Sequence, residues 1–259
     1  MENKGVELAI NAKAIDTDDL ALDFGFNFTY NNSKVTNLTD VSDPDYMIET
    51  GGISGSTGNN IQAHIINRAP NSFRVHKQVY NEEGLPIEGV YEDLNKDGII
   101  NDNDRYFYKS PVPDYMLGFT TQVRYKKWSL STVLRANIGN YIYDNISSNF
   151  GSQYNVLDPN GPINNAPVSF LDTKFLQKQY TSDYYIHNAS FLKMDNLSLS
   201  YAAGSIFPNG IGQLTVSANV QNVFTVSKYK GVDPEISNGI DNRFYPRPRT
   251  FVLGLNLGF

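Results

Sequence analysis

The chain has 259 residues, 40% of them hydrophobic and 19% charged, with a formal net charge of −6. That acidity, with a pI near 5.1, argues against nucleic acid as a partner, because phosphate binding needs clustered Lys and Arg. The absence of cysteine excludes a disulfide scaffold and thiolate metal sites. No run of 18 or more apolar residues occurs, so a transmembrane helix is excluded, whereas a membrane β-strand needs only about 9–11 residues, every second one apolar. Seventeen Tyr, 15 Phe and 20 Gly against one Trp point to strands and turns.

In chain order, the first element starts just after Met1-Glu2-Asn3-Lys4, which lacks the apolar core of a signal peptide; an upstream segment is expected. From Gly5 to Ile15, the apolar set Val6, Leu8, Ile10, Ala12 and Ala14 opposes Glu7, Asn11 and Lys13. Four residues later, Leu20, Leu22, Phe24, Phe26, Phe28 and Tyr30 oppose Asp23, Gly25, Asn27 and Thr29. Period 2 over that length predicts strands with one apolar and one polar face. The pattern returns at Leu117–Tyr125 and, after only Lys126-Lys127, at Trp128–Ile138. It returns again at Leu214–Val220 and at Phe251–Phe259. Eight strands are expected, with two weaker candidates, no helix beyond two turns and no repeat of 20–50 residues.

Between some strands lie long polar stretches, 41–71, 80–114, 139–184 and 225–248. Short turns at one end and long loops at the other are the asymmetry of outer-membrane barrels, where the apolar face meets lipid and the polar face the lumen. Aromatic residues at strand ends, Tyr30, Tyr125, Trp128, Tyr201 and Phe259, fit interfacial girdles. The predicted lipid face carries Phe24, Phe26, Phe28, Leu253, Leu255 and Leu257. The predicted lumen face carries Asn27, Thr29, Asn219 and Asn256. A soluble sandwich also alternates, although loops beyond about 15 residues are uncommon there.

One loop has metal-ligand spacing. Asp93, Asn95 and Asp97 stand at positions 1, 3 and 5, Gly98 at 6, the Ile99 carbonyl at 7 and Asp104 at 12, as in EF-hand-like calcium loops. The competing reading is a solvated acidic turn. His64, His76 and His187 are too scattered for a metal or catalytic site. No G-x-S-x-G elbow occurs, and the Gly-rich run 51–58 lacks the Lys and helix of a phosphate loop. Asp233 and Glu235, with Arg243, Arg247 and Arg249, read as loop ion pairs rather than ligand contacts.

Seven segments stand out as motifs: Asn3-Lys4-Gly5-Val6-Glu7-Leu8, the run Tyr91-Glu92-Asp93-Leu94-Asn95-Lys96-Asp97-Gly98, and Pro111-Val112-Pro113-Asp114-Tyr115. Further along come Ala189–Tyr201, Gln221-Asn222-Val223-Phe224, Tyr229–Glu235 and Tyr245-Pro246-Arg247-Pro248-Arg249-Thr250. In this order they resemble the C-terminal region of SusC/RagA-family TonB-linked transporters. The resemblance implies that residues 1–259 are an all-β, antiparallel, C-terminal portion of a 22-stranded-type transmembrane barrel. Closing such a barrel requires upstream strands and a plug, whether from the same chain or a separate one. It implies uptake of a bulky nutrient, a glycan or a peptide, through the outer membrane of a Gram-negative bacterium. The implied partners are a SusD-like lipoprotein, TonB acting through the plug, and outer-membrane lipid. No catalysis is expected. The strand carrying Phe251, Leu253, Leu255, Leu257 and the terminal Phe259 resembles the signal read by the barrel-assembly machinery. The alternative function is a secreted or cell-surface carbohydrate-binding or adhesin β domain.

Overall fold

In a computed structural model, residues 1–40, 43–55, 58–158, 161–205, 212–242 and 245–258 are described. Seven long strands dominate: β1 (Glu2–Asp16), β2 (Leu20–Lys34), β3 (Tyr115–Tyr125), β4 (Trp128–Ile138), β5 (Phe191–Ser205), β6 (Gln213–Ser227) and β7 (Thr250–Gly258). They form one antiparallel sheet in the order β1 to β7, each strand pairing with its neighbour along the chain. The sheet thus holds seven strands rather than eight. The remaining strand-forming segments are short and pair among themselves outside it, because their apolar residues serve a separate core.

The alternation of the individual strands adds up to one face of the whole sheet. Ile10 lies opposite Phe26, and Phe26 opposite Phe119. Phe119 faces Leu134, Leu134 faces Met194 and Met194 faces Phe224. At the far side Val216 faces Leu255 and Ala218 faces Leu253. Opposite residues share a face, so Phe24, Phe26, Phe28, Leu253, Leu255 and Leu257 lie together. Leu253 is 86% exposed and Leu255 78%, an arrangement that water penalises and lipid does not.

Bulges adjust the pattern at single residues. The β1–β2 register slips between Lys13 and Ile15, so Ile15 faces Leu22 and Ala14 is the extra residue. Ala14 therefore does not continue the apolar series; Ile15 does. A second slip, between β4 and β5, leaves Asp195 as the extra residue of β5, and on its other side β6 carries an extra residue at Asn222-Val223, with Asn222 at φ 53°. Bulges re-aim side chains, and the slip at Asp195 sets its carboxylate beside Arg135.

An antiparallel meander places alternate connections at opposite ends. Residues 17–19 and 126–127 join β1 to β2 and β3 to β4 at one end, while 35–114, 139–190 and 228–249 all leave from the other. Aromatic side chains mark both ends. Trp128 and Tyr201 have ring centroids 4.6 Å apart near the short turns, and Tyr30 and Tyr115 lie 5.3 Å apart near the long connections. Tyr115 and Tyr125 bound β3. Ten steps of about 3.4 Å, tilted by about 35–45°, span about 24–28 Å, close to the height of a barrel's apolar band.

The three long connections fold together. Ile61, Phe73 and Val75 of the first pack with Tyr143, Tyr185 and Ile186 of the second and Ile240 of the third in one buried cluster. Backbone bonds tie them: His76 N–H donates to Thr181 O at 2.7 Å, Tyr143 N–H to Gly239 O at 2.8 Å and Asp241 N–H to Tyr143 O at 2.9 Å. Gly239 has φ 72°, and a Cβ there would meet Pro111 Cβ at 2.4 Å, so this contact needs glycine.

Candidate functional site

The segment Tyr229–Glu235 clamps the third connection to the sheet. Arg135 projects from the end of β4 and Lys193 lies opposite it on β5. The bulge at Asp195 brings a carboxylate beside Arg135, whose Nη2 donates to Asp195 Oδ1 at 3.1 Å and to Glu235 Oε2 at 2.9 Å. Arg135 Nε also donates to Asp195 Oδ2, and Nη1 to Glu235 Oε1. Lys193 Nζ reaches Glu235 Oε2 at 3.1 Å, with only 5% of its side chain exposed. Arg247 holds Glu235 Oε2 at 2.8 Å and Asp233 Oδ2 at 3.0 Å. Three cations thus meet three carboxylates, and the bidentate guanidinium contacts fix geometry as well as charge. Burial pushes the Glu235 carboxyl up, but hydrogen bonds from Arg135 and Lys193 outweigh it and hold it below the usual range. Arg247 is the ion-pairing arginine expected from the sequence. Arg243 lies outside the described residues.

Beside this clamp, between the second and third connections, is a cleft of about 650 Å³, a size typical of ligand sites. Tyr184, His187 and Tyr229 line it with Lys228, Lys230 and Asp241. Tyr229 Oη–H donates to Asp241 Oδ2 at 2.7 Å, and Val232 N–H approaches the same oxygen at 3.3 Å. The other oxygen, Oδ1, is buried and has no hydrogen-bond partner. Burial pushes the Asp241 carboxyl up and the His187 imidazole down, toward its neutral form. Gly231 lets the Tyr229 ring fold back onto the chain, because a Cβ there would lie 2.3 Å from it.

The Asp93–Asp104 loop is ordered by its own carboxylates. Asp93 accepts from Lys96 N–H at 2.6 Å and from Gly98 N–H at 2.8 Å, and Asp97 from Ile99 N–H at 2.8 Å. Asn95 Nδ2 donates to Asp97 at 2.9 Å. Asp104 is fully buried. It accepts from Leu94 N–H at 3.0 Å, Asn95 N–H at 3.4 Å and Asn101 N–H at 2.9 Å, bonds that lower its pKa. Among the described residues no three His, Cys, Asp or Glu side chains converge as a metal-binding group. Gly98 has φ 81°, as the tight turn requires.

The remaining sequence candidates fall apart in space. His64 Nδ1 accepts from Asn71 N–H at 3.2 Å, whereas His76 stacks on Tyr91 at 4.9 Å. Gly51 and Gly52 end a strand, and Ser56 and Thr57 lie outside the described residues. Phe251, Leu253, Leu255 and Leu257 lie on β7 against Val220, Ala218, Val216 and Leu214, and Phe259 lies outside the described residues. Sequence reasoning missed Arg135, Lys193 and Asp241. The first two are ordinary polar-face positions until the bulge and the loop reach them; Asp241 carries no sequence signal.

A meandering antiparallel sheet with a continuous apolar face, all long connections at one end and those connections folded into a cap defines part of an outer-membrane-type β-barrel. No family model matches the chain. The whole chain is 42% identical over 266 residues to the TonB-dependent receptor SusC of Bacteroides thetaiotaomicron, covering 26% of that protein. It is 27% identical to a TonB-dependent receptor of Formosa agariphila, again over its whole length and 29% of the relative. The fold matches a RagAB peptide transporter structure with TM-score 0.75 and 22% identity, over 99% of this chain and 29% of that one. The chain therefore spans between a quarter and a third of the length of these proteins. Along its whole length it resembles the C-terminal portion of SusC/RagA-type TonB-dependent receptors. These relatives are receptors and transporters rather than enzymes, the non-enzymatic class expected from the sequence.

Proposed function

We propose that the chain is the C-terminal barrel portion of an outer-membrane receptor that imports a bulky nutrient, glycan or peptide, in a TonB-dependent manner. The observation that carries this reading is the unbroken apolar face of seven strands, capped at one end by interlocked loops. Upstream strands and a plug would complete the barrel, since lipid tolerates no unpaired sheet edge. A SusD-like lipoprotein would work with the loop cap, TonB would engage the plug, and the site of action would be the outer membrane of a Gram-negative bacterium. β7, with Phe251, Leu253, Leu255 and Leu257, would serve as closing strand and assembly signal. Deleting the gene that encodes the chain should abolish growth on, and uptake of, one class of polymeric nutrient while growth on its monomers continues. Unimpaired uptake across a panel of glycans and peptides would count against it, as would release of the protein into the aqueous fraction without detergent, which the adhesin alternative requires.

The proposed calcium ligands are Asp93, Asn95, Asp97, the Ile99 carbonyl and Asp104. Their support is the closing bond from Gly98 N–H to Asp93 and the ligand spacing. Metal would bind the free lone pairs of these groups and stiffen the loop.

A further inference from the structure

We propose that Lys4 and Lys34, at the loop end of the apolar face, form a binding site for the phosphate of an outer-leaflet glycolipid. The proposal rests on the outer-membrane reading and adds a lipid ligand to it.

Register supplies the first argument. Lys4 lies opposite Asn32 and Lys34 opposite Glu2, in the same alternation that sets Val6 opposite Tyr30 and Leu8 opposite Phe28. Both lysines therefore stand on the apolar face and not on the lumen wall. At about 3.4 Å per residue and a tilt of about 35–45°, they stand about 5–11 Å beyond Tyr30. Tyr30 and Tyr115 mark the aromatic belt at this end, and the headgroup layer beyond such a belt is about 5–8 Å thick. Flexible lysine stems place their charges within it. The charges supply the second argument. Glu2 Oε1 accepts from Lys4 Nζ at 2.7 Å, and Oε2 from Lys34 Nζ at 3.2 Å. One carboxylate thus spaces two ammonium groups and leaves a positive charge unmatched. The Lys4 side chain is 76% exposed and that of Lys34 44%. Each ammonium has three donors, of which Glu2 occupies one. A phosphate, with several anionic oxygens, suits such a pair, whereas the cation of a zwitterionic headgroup is repelled by it. Arg68 is exposed, and two backbone bonds of 2.8 Å tie residues 67 and 68 to Val35, so a third cation stands near Lys34. The third argument is cost. The sheet explains Val6 and Leu8 of the segment Asn3–Leu8 but not Lys4, and a cation facing lipid is retained where an anionic partner meets it.

The test uses the full-length receptor in detergent, titrated by native mass spectrometry with phosphorylated lipid A, dephosphorylated lipid A and phosphatidylcholine. Phosphorylated lipid A should bind most tightly. Substituting Lys4→Gln together with Lys34→Gln should weaken that binding about tenfold. Lys126→Gln with Lys127→Gln removes as much charge at the short-turn end and should leave it unchanged. Lys34→Gln alone decides the matter if the double variant misfolds, which gel mobility with and without heating reports. Four results would overturn the site: equal binding of the two forms of lipid A, unaltered affinity in the folded Lys4 and Lys34 variant, equal weakening by the Lys126 and Lys127 pair, or displacement of the lipid by millimolar inorganic phosphate, which would assign the charges to a free anion. A receptor that holds lipid without preferring phosphate loses this site alone. One that holds no lipid of any kind loses the outer-membrane reading with it.

Discussion

Arg135 of β4 and Glu235 of the third long connection, 100 residues apart in sequence, meet through two parallel hydrogen bonds. The same guanidinium holds Asp195, so one side chain joins two strands and a loop. Replacing Arg135 with Ala would leave Glu235 facing Lys193 and Arg247 only. A loss of about 1–2 kcal/mol is expected, discounted because a third of the Arg135 side chain is exposed. Residues 228–249 should become cleavable by protease while the sheet stays intact. Arg135→Lys should rescue little, since an ammonium cannot make the forked contact.

The apolar face gives a second expectation. Phe26→Arg near mid-height should cost about 2–4 kcal/mol of assembly in lipid, whereas Asn27→Arg, one residue along and on the opposite face, should be tolerated. The folded fraction of the full-length receptor in vesicles reports both, and equal tolerance would contradict the assignment of faces.

Acid should loosen the cap in two stages. Burial depresses the pKa of His76 below its ordinary 6.5, and its neutral ring bonds Thr181 Oγ1 at 2.8 Å and Asn101 O at 2.9 Å. A depressed folded pKa gives stability that is present above pH 6.5 and lost as pH falls through the lower folded value. Glu235 is likewise depressed below 4.5, so its contribution is present above pH 4.5 and lost on further acidification. The melting temperature should therefore fall below pH 6.5 and again below pH 4.5. His76→Gln should flatten the first stage and Glu235→Gln the second.

The Asp93–Asp104 loop can be probed by metal and by mutation. Calcium at millimolar concentration should slow amide exchange across residues 94–104, and a calorimetric titration without heat would refute the metal reading. Asp104→Ala removes the acceptor for three backbone N–H groups, so it should speed exchange in the same amides even without metal.

The sheet was legible in the sequence wherever period 2 ran unbroken, as from Leu20 to Tyr30, because burial of one face dictates residue type directly. Ala14 and Asp195 were not, since an extra residue in a strand changes which side chain faces where without changing composition. The cap was hidden for a different reason. Gln62 Nε2 donates to Asn238 O across 176 residues, and no local pattern encodes such a meeting. For the clamp, Asp233, Glu235 and Arg247 were readable as an ionic cluster, but Arg135 and Lys193 resembled any other lumen-facing polar residue. The cleft at Asp241 depends wholly on how two loops approach each other.

The neighbour-to-neighbour order of the strands has a kinetic consequence. The β1–β2 and β3–β4 hairpins can zip from the short turns at 17–19 and Lys126-Lys127, with little loop-closure entropy to overcome. The cap cannot. Its core needs Ile61, Tyr143 and Ile240 together, so it must wait until the connection before β7 has crossed the membrane. Assembly should then be biphasic, with rapid strand insertion followed by slow consolidation of the loops. Until the slow step ends, the receptor would sit in the membrane as a scaffold without its lid of interlocked loops.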